Sequence, residues 1–521
     1  MNEASARAHS ERRRLLRNLI SSYGARGALA LSALLLTPYL FRRLGVDGFG
    51  TWSVMFTLTT IFSLLELGPS AATTKYVSQY RAEDRPEEVE RTVGASVLMM
   101  GAIGVVAALI LVAFALLFPG LAADGEREAF RDGMLVLAAA VLIRFPFFAY
   151  GAALTGIQRW DLFGASEAAM AISFALGSVV AIEVGAGVLG LAVAYAAALL
   201  LGGALFALFF RRAAPEISMR PRAAQRDRLG VLSRFGSLTL LADAMVFIGL
   251  RMDTVLISAI RSAASAAPFA AALKLQSALQ SLTLPFLLLL MPMISELWAR
   301  GERDEVVRRM TLATRVAVQL TLPFALATAL FSTDLVELWL GGDAPAVTAT
   351  IIIVLMAVQT VTLSVVPAEK TLIGIGKVKL IGAIAAFEGI ANLGLSIALI
   401  ASYGAVGAAL GTLFTAGVVA PIKVPIACRA LGVPSWPALR ASYGPALLSS
   451  LPGAAAMVAC WLLLEPGLGR LAAGSLIGFA LCAAAGIAQL GPARLREMVR
   501  GGLPRAERDP VAIAEQQPVE V

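Results

Sequence analysis

The chain alternates long apolar runs with short polar punctuation. A membrane-crossing helix needs about 20 mostly apolar residues. Fourteen runs meet that length, at 17–41, 49–68, 92–118, 132–156, 164–183, 187–210, 234–260, 268–295, 311–331, 345–367, 380–400, 405–428, 444–464 and 471–490. Glycine and proline recur inside them, as membrane helices tolerate. The connections are too short to hold a separate soluble domain. The pattern predicts an all-α polytopic membrane protein of about 14 transmembrane helices.

Composition agrees. Of 521 residues, 58% are apolar and only 15% charged, against about 25% charged in soluble domains. Mean hydropathy is +0.79. These values exclude a soluble enzyme, a disordered chain and a secreted disulfide scaffold. Cys428, Cys460 and Cys482 all fall in apolar runs, without metal-ligand or disulfide spacing. The single histidine, His9, lies in a polar N-terminal tail, so the core lacks His-based zinc or general-base chemistry. No phosphate-binding or nucleophile-elbow motif stands in a strand-turn-helix context. The sequence therefore predicts no metal, no cofactor and no enzymatic activity. Arg12, Arg13 and Arg14 precede an apolar run, but Gly24, Arg26, the length of the run and the lack of an A-x-A site make it a first span rather than a cleaved signal.

The net charge of +8 acquires a meaning once it is located. With the N-terminus in the cytoplasm, 31 of the 43 Lys and Arg fall on the cytoplasmic side and six outside. That bias predicts both termini inside and an even number of spans. The densest cluster, Arg211, Arg212, Arg220, Arg222, Arg226 and Arg228, reads as a topology-fixing loop that meets anionic lipid headgroups, not as a nucleic-acid site.

The chain also resembles itself at a spacing near 218 residues. Gly156-Ile-Gln-Arg-Trp-Asp-Leu-Phe-Gly164 aligns with Gly374-Ile-Gly-Lys-Val-Lys-Leu-Ile-Gly382. Gly187–Gly190 aligns with Gly404–Gly407 after a slip of one, and Arg43 falls opposite Arg261. Spans one to six and seven to twelve thus read as two parallel six-helix repeats, plus two C-terminal helices. The predicted organisation is a tail (1–16), an N-terminal lobe (17–210), a basic linker (211–233), a C-terminal lobe (234–428), two extra helices (429–490) and a C-terminal tail (491–521). Transporters built this way place the substrate between the repeats and rock the halves around it.

Tyr39-Leu-Phe-Arg-Arg-Leu-Gly-Val-Asp-Gly-Phe-Gly-Thr-Trp52 resembles the first hairpin of the polysaccharide-transport flippases of the multidrug/oligosaccharidyl-lipid/polysaccharide exporter superfamily. Glu66-Leu-Gly-Pro-Ser and Lys75-Tyr-Val-Ser-Gln-Tyr-Arg81 extend the likeness. Gly374–Gly382, Asn392 and Gly404-Ala-Val-Gly-Ala-Ala409 look like the matching second-half hairpin. The stretch Arg261-Ser-Ala-Ala-Ser-Ala-Ala-Pro268 departs from the family, which is more glycine-rich there. The resemblance implies a flippase of a bacterial cytoplasmic membrane. It would carry an oligosaccharide linked to an undecaprenyl-type pyrophosphate from the inner to the outer leaflet, coupled functionally to glycosyltransferases and a polymerase. A drug/cation antiporter or a flippase for the lipid-linked peptidoglycan precursor are the alternatives within the superfamily. A polytopic polymerase or ligase is disfavoured by the short, base-poor outer loops.

Charges inside spans are costly, about 2.5–3.5 kcal/mol at the centre on insertion scales, and default to function. Arg26, Arg144, Arg251 and Lys274 are the candidate cavity cations, because a guanidinium presents paired charged donors to a pyrophosphate. The alternative is pairing with a buried carboxylate, with Asp243, Asp253, Glu66 and Glu388 available; for Arg251 and Lys274 a further alternative is snorkelling to the outer interface. Arg251 and Asp253 point about 200° apart on a helix and are not a local pair. Asp243, Asp253 and Glu388 are candidates for ion coupling or charge pairing, and Asp253 matches an acidic position of the family's seventh span. Arg315 and Lys423, near cytoplasmic ends, are expected to snorkel. The run 82–91 is expected to form a solvated amphipathic helix. Trp52, Trp298, Trp339, Trp436 and Trp461 read as an interfacial belt. Arg26→Ala or Arg144→Ala is expected to abolish surface polysaccharide at normal protein level.

Overall fold

Away from water a backbone must satisfy its own N–H and C=O groups, so apolar runs of this length become helices. The computed structural model describes residues 3–217, 252–288 and 290–500, with side chains outside 3–31, 63–64, 285–286, 288 and 490–500. The first half comprises α1 (Glu3–Phe62), α2 (Leu67–Ala82), α3 (Pro86–Leu117), α4 (Arg127–Arg144), α5 (Phe148–Gly156), α6 (Trp160–Glu183) and α7 (Gly187–Ala213). The second comprises α8 (Asp253–Ile260), α9 (Ala263–Leu288), α10 (Leu290–Ala299), α11 (Arg303–Leu340), α12 (Val347–Gly374) and α13 (Val378–Leu431), followed by α14 (Ser435–Leu463) and α15 (Leu468–Arg500). The chain is an all-helical polytopic membrane protein. Among the described residues, nine helices are long and apolar enough to cross a membrane as they stand. Two of the longest runs are pairs of spans joined without a loop. α1 folds back at Gly45 (φ 68°) and α13 at Gly404 (φ 58°). Of the seventh predicted span, only residues 252–260 lie within the described residues, with α8 beginning at Asp253.

The repeat is visible in the turns. Left-handed backbone recurs at Gln158 and Gly376, 218 residues apart, at Asp84 and Gly301, and at Gly187 and Gly404. The arginines at matching positions also act alike. Arg43 reaches the end of α6 at Glu183 (2.8 Å), and Arg261 reaches the carbonyls of Ile400 and Ala401, at the end of the equivalent span.

Part of the packed interior is local to each half and part is shared, since the cluster around Met55 also takes in Val255, Ala267, Ala271 and Leu340 of the second half. Met55, Phe130, Met134, Leu137 and Leu191 fill one part of the first, and Leu154, Phe206 and Phe210 another. In the second, Phe269, Ile351 and Ile352 form one cluster and Ile294, Leu372 and Cys428 a second. α14 and α15 pack on each other and on α11. They approach closely at Gly453, where a Cβ would stand 2.3 Å from the Gly478 carbonyl oxygen, the small-residue packing that replaces hydrophobic driving force in lipid. Arg470 fixes the same unit with a bidentate bridge to buried Asp334 (2.6 and 2.7 Å). Leu117, Leu176 and Leu463 project outward from the bundle, as a lipid-facing surface requires.

Three expectations are corrected here. The charged run 82–91 is not a helix of its own: α2 continues to Ala82, residues 83–85 turn, and Pro86 starts α3. Proline is favoured at a first helical position, where its missing N–H costs nothing. Arg315 and Lys423 do not snorkel. Arg315 is buried and donates to Gln489 Oε1 (3.0 Å). Buried Lys423 meets Glu388 at 3.0 Å and Glu369 at 3.5 Å. Trp52 is not interfacial but 5% exposed within the first lobe, whereas Trp436 and Trp461 do lie exposed.

Candidate functional site

The two halves meet along α1 and α9, and a cavity of about 410 Å³ opens between them. The volume is of small-ligand size. Its first-half wall comes from both arms of α1, from α6 and from Tyr195 of α7; its second-half wall comes from Thr254 of α8 and from Ala270, Leu273, Lys274 and Ser277 of α9. Lys274 is the one charged side chain among the described lining residues, and its Nζ stands 4.1 Å from the Phe56 ring centroid. A cation over a ring face is attracted by the ring quadrupole, which holds the ammonium inside the cavity rather than at an interface.

One end of this cavity is shut. Arg42, just before the Gly45 fold-back, donates Nη2 to the carbonyls of Leu338 (2.8 Å) and Trp339 (3.3 Å) and Nε to that of Leu340 (3.2 Å). These are the last carbonyls of α11, which lack intrahelical partners and carry the negative end of the helix dipole. Trp339 Nε1 returns a hydrogen bond to Leu34 O (3.0 Å), and Ser258 Oγ donates to Leu121 O. Gly50 lies against the Ala263 carbonyl with no room for a Cβ. All four contacts join the first half to the second.

Arg144 is elsewhere. The helix stops at Arg144 because Pro146 cannot continue it, and a 3₁₀ turn over Phe145–Phe147 follows. The side chain is 3% exposed. It donates to Leu199 O (2.9 Å) and Glu167 Oε1 (3.3 Å), between the rings of Phe148 and Phe206. Gly202 of α7 leaves the space for its guanidinium. It ties α4, α6 and α7 inside the first lobe and does not line the cavity. Its partner is Glu167, a carboxylate the sequence reading passed over; Glu66 stands in the field of the same pair.

The acidic candidates separate. Glu388 pairs with Lys423. Asp253 is 4% exposed and faces α13, while its neighbour Thr254 faces the cavity. Around it, Asn392 Nδ2 donates to Thr412 Oγ1 (3.0 Å), which lies 3.4 Å from Asp253 Oδ2. Asn392 Oδ1 is buried with no hydrogen-bond partner among the described residues, and Ser396 presents its hydroxyl to the same carboxylate. Oxygens from both arms of α13 thus gather around the carboxylate of α8. Arg251 and Asp243 lie outside the described residues, and Arg26 is on α1 with its side chain outside them.

The sequence reading missed the aromatic and hydroxyl lining of the cavity. Its signal was available: Ser53, Thr57 and Thr60 recur at helical spacing inside an apolar run, beside Trp52 and Phe56.

A family model described as polysaccharide biosynthesis protein matches residues 15–298. The chain belongs to that family. Solved structures similar to this polysaccharide biosynthesis protein include one titled lipid II flippase MurJ, inward closed conformation, at TM-score 0.71 and 14% identity, covering 93% of this chain and 100% of that one. An inward-facing multidrug resistance MATE family transporter of the MOP superfamily aligns at TM-score 0.58 and 16% identity over 80% of this chain and 97% of that one. An outward-facing conformation of such a transporter aligns at TM-score 0.53 and 16% identity, over 79% and 94%. At these identities the likeness is one of fold. A search of the curated proteins returns no match. The chain is thus a multi-pass membrane protein of the polysaccharide biosynthesis family with a transporter fold.

Proposed function

We propose that this protein flips a polyprenyl-pyrophosphate-linked oligosaccharide from the cytoplasmic to the outer leaflet of a bacterial inner membrane by alternating access of its two lobes. The observation that carries the reading is the inter-lobe cavity with Lys274 in its wall and its Arg42 end shut. The loop charges put the shut end outside, so the substrate enters from the cytoplasmic side. Lys274 receives the pyrophosphate, with Arg26 and Arg251 as further cavity cations; Arg144 acts through the packing of the first lobe. Asp253, with Asn392, Ser396 and Thr412, takes the coupling cation or proton, and Thr254 transmits its occupancy to the cavity. Glu388 is assigned to charge pairing with Lys423. Partners are the lipid-linked substrate and, functionally, the glycosyltransferases and polymerase that precede and follow it. An antiporter of organic cations is disfavoured, because the described cavity wall carries a lysine and no carboxylate.

The test is transport in proteoliposomes. A fluorescent polyprenyl-pyrophosphate disaccharide placed in one leaflet becomes accessible to a membrane-impermeant quencher as it flips. Lys274→Ala is expected to lower the rate at least tenfold, since a charge-assisted hydrogen bond contributes about 1.5–3 kcal/mol. A wild-type rate equal to that of empty liposomes, or an unimpaired Lys274→Ala, would overturn the proposal.

A further inference from the structure

The two walls of the cavity differ in chemistry. The first-lobe wall carries hydroxyls that have already given away their protons. Thr37 donates to Ala33 O (2.7 Å), Ser53 to Phe49 O (2.7 Å), Thr57 to Ser53 O (2.7 Å) and Thr60 to Phe56 O (2.9 Å). Each is a back-bond to the preceding helical turn. What these four hydroxyls keep free is acceptor lone pairs. Lone pairs repel phosphate oxygens and receive O–H donors. Between these hydroxyls stand Trp52, Phe56, Phe174 and Tyr195, whose rings lie 5.0 to 5.9 Å apart. Ring faces carry negative charge density, which suits the polarised C–H face of a sugar ring, and the Trp52 indole N–H and Tyr195 hydroxyl add donors for sugar oxygens. The second-lobe wall supplies Lys274, a donor-only group with a full positive charge.

We propose a division of labour within the described cavity wall: the Ser53–Thr57 stripe with Trp52 and Tyr195 recognises the sugar unit next to the pyrophosphate, and Lys274, on the facing second-lobe wall, recognises the pyrophosphate. This rests on the flippase reading above. It makes sugar selectivity a property of one wall, separable by substitution from lipid-phosphate binding. It also places the substrate across the plane along which the lobes part, so both walls are engaged only while the lobes hold it together.

The experiment compares two fluorescent probes in proteoliposomes of the full chain, a polyprenyl-pyrophosphate disaccharide and the same lipid pyrophosphate without sugar. The quantity read is the ratio of their flipping rates. Wild type is expected to favour the sugar-bearing probe. In the double variant Ser53→Ala/Thr57→Val the ratio falls about tenfold, the sum of two ordinary hydrogen bonds. In Lys274→Ala both rates fall and the ratio holds. A wild-type ratio near one, a ratio unmoved in the hydroxyl variant, or a ratio that falls as far in Lys274→Ala as in the hydroxyl variant would each overturn the division of labour. If wild type moves neither probe, it is the flippase reading itself that fails. Tyr195→Phe, which keeps the ring and its packing, is the second variant: it is expected to lower the ratio by a smaller factor, and a ratio unmoved there removes Tyr195 from the recognition stripe.

Discussion

The two lobes solve one problem with different residues. Each lobe ties its fourth, fifth and sixth spans together with a buried cation. In the first lobe the cation is Arg144 on the fourth span, held by Glu167 on the fifth and the Leu199 carbonyl on the sixth. In the second it is Lys423 on the sixth span of the repeat, held by Glu388 on the fifth and Glu369 on the fourth, with Lys370 also on Glu369. The cation has changed type and helix, while the three helices joined are the same. Conformational demands survive between the copies, as at the turn of Gln158 and Gly376, and so does the arginine at Arg43 and Arg261; the residues of the buried ion pair do not. An ion pair is defined by which helices it joins, and any of the three can supply the positive partner.

The comparison breaks most visibly at Lys423. Lys423→Met leaves Glu388 buried without its cation, which costs about 3–5 kcal/mol. The unfolding midpoint of the purified chain is expected to fall sharply, and the double variant Lys423→Met/Glu388→Met to recover most of the loss. Recovery is the informative arm, because it separates a stranded charge from lost packing.

Arg144 comes next. Arg144→Gln strands Glu167, which is 29% exposed rather than fully enclosed; about 2–3 kcal/mol is expected. Stability and protein level should therefore fall along with transport. This reverses the expectation from the sequence, in which a cavity arginine would be replaced at normal protein level. A variant with wild-type melting and no transport would return Arg144 to the substrate path.

Much of the fold was legible in the sequence, because length and apolar periodicity decide where helices lie, and glycine marks where the chain must fold back. Gly45 and Gly404 fall between predicted spans, in stretches that resemble the family's hairpins. The ion pairs were not legible. Arg144 and Lys423 stand out as charges in apolar runs, but their partners lie 23 and 35 or 54 residues away on other helices, and nothing local distinguishes Glu167 from a surface glutamate. The cavity wall was hidden for another reason. Ser, Thr and Trp are ordinary in spans, and only the packing of α1 against α6 and α9 brings them to one surface.

The shut end has no counterpart inside either lobe, since its contacts run between them. Arg42→Ala removes three hydrogen bonds to the end of α11 and should shift the population toward the state open at that end, by about tenfold for a net charge-assisted contribution near 1.4 kcal/mol. In a chain with Cys428, Cys460 and Cys482 replaced, a cysteine at Thr37 reports the shift as faster maleimide labelling from that side. Unchanged labelling would mean that Trp339, Ser258 and the Gly50 contact hold the lobes without Arg42.

The smallest expected effect tests the repeat at its best-matched turn. Gln158 and Gly376 both adopt left-handed backbone, at φ 63° and 84°. A side chain there costs roughly 1–2 kcal/mol relative to glycine. No atom lies within 4 Å of where a Cβ would stand at Gly376, so Gly376→Gln meets only the backbone term and should destabilise by about 1 kcal/mol. Gln158→Gly removes the same strain but gives the unfolded chain more freedom, which offsets part of the gain. Its net effect should be within about 0.5 kcal/mol of zero and on the stabilising side. The two unfolding midpoints therefore move in opposite directions by unequal amounts. If both substitutions destabilise equally, the Gln158 side chain holds its turn through contacts of its own, and the two copies share a backbone shape for different physical reasons.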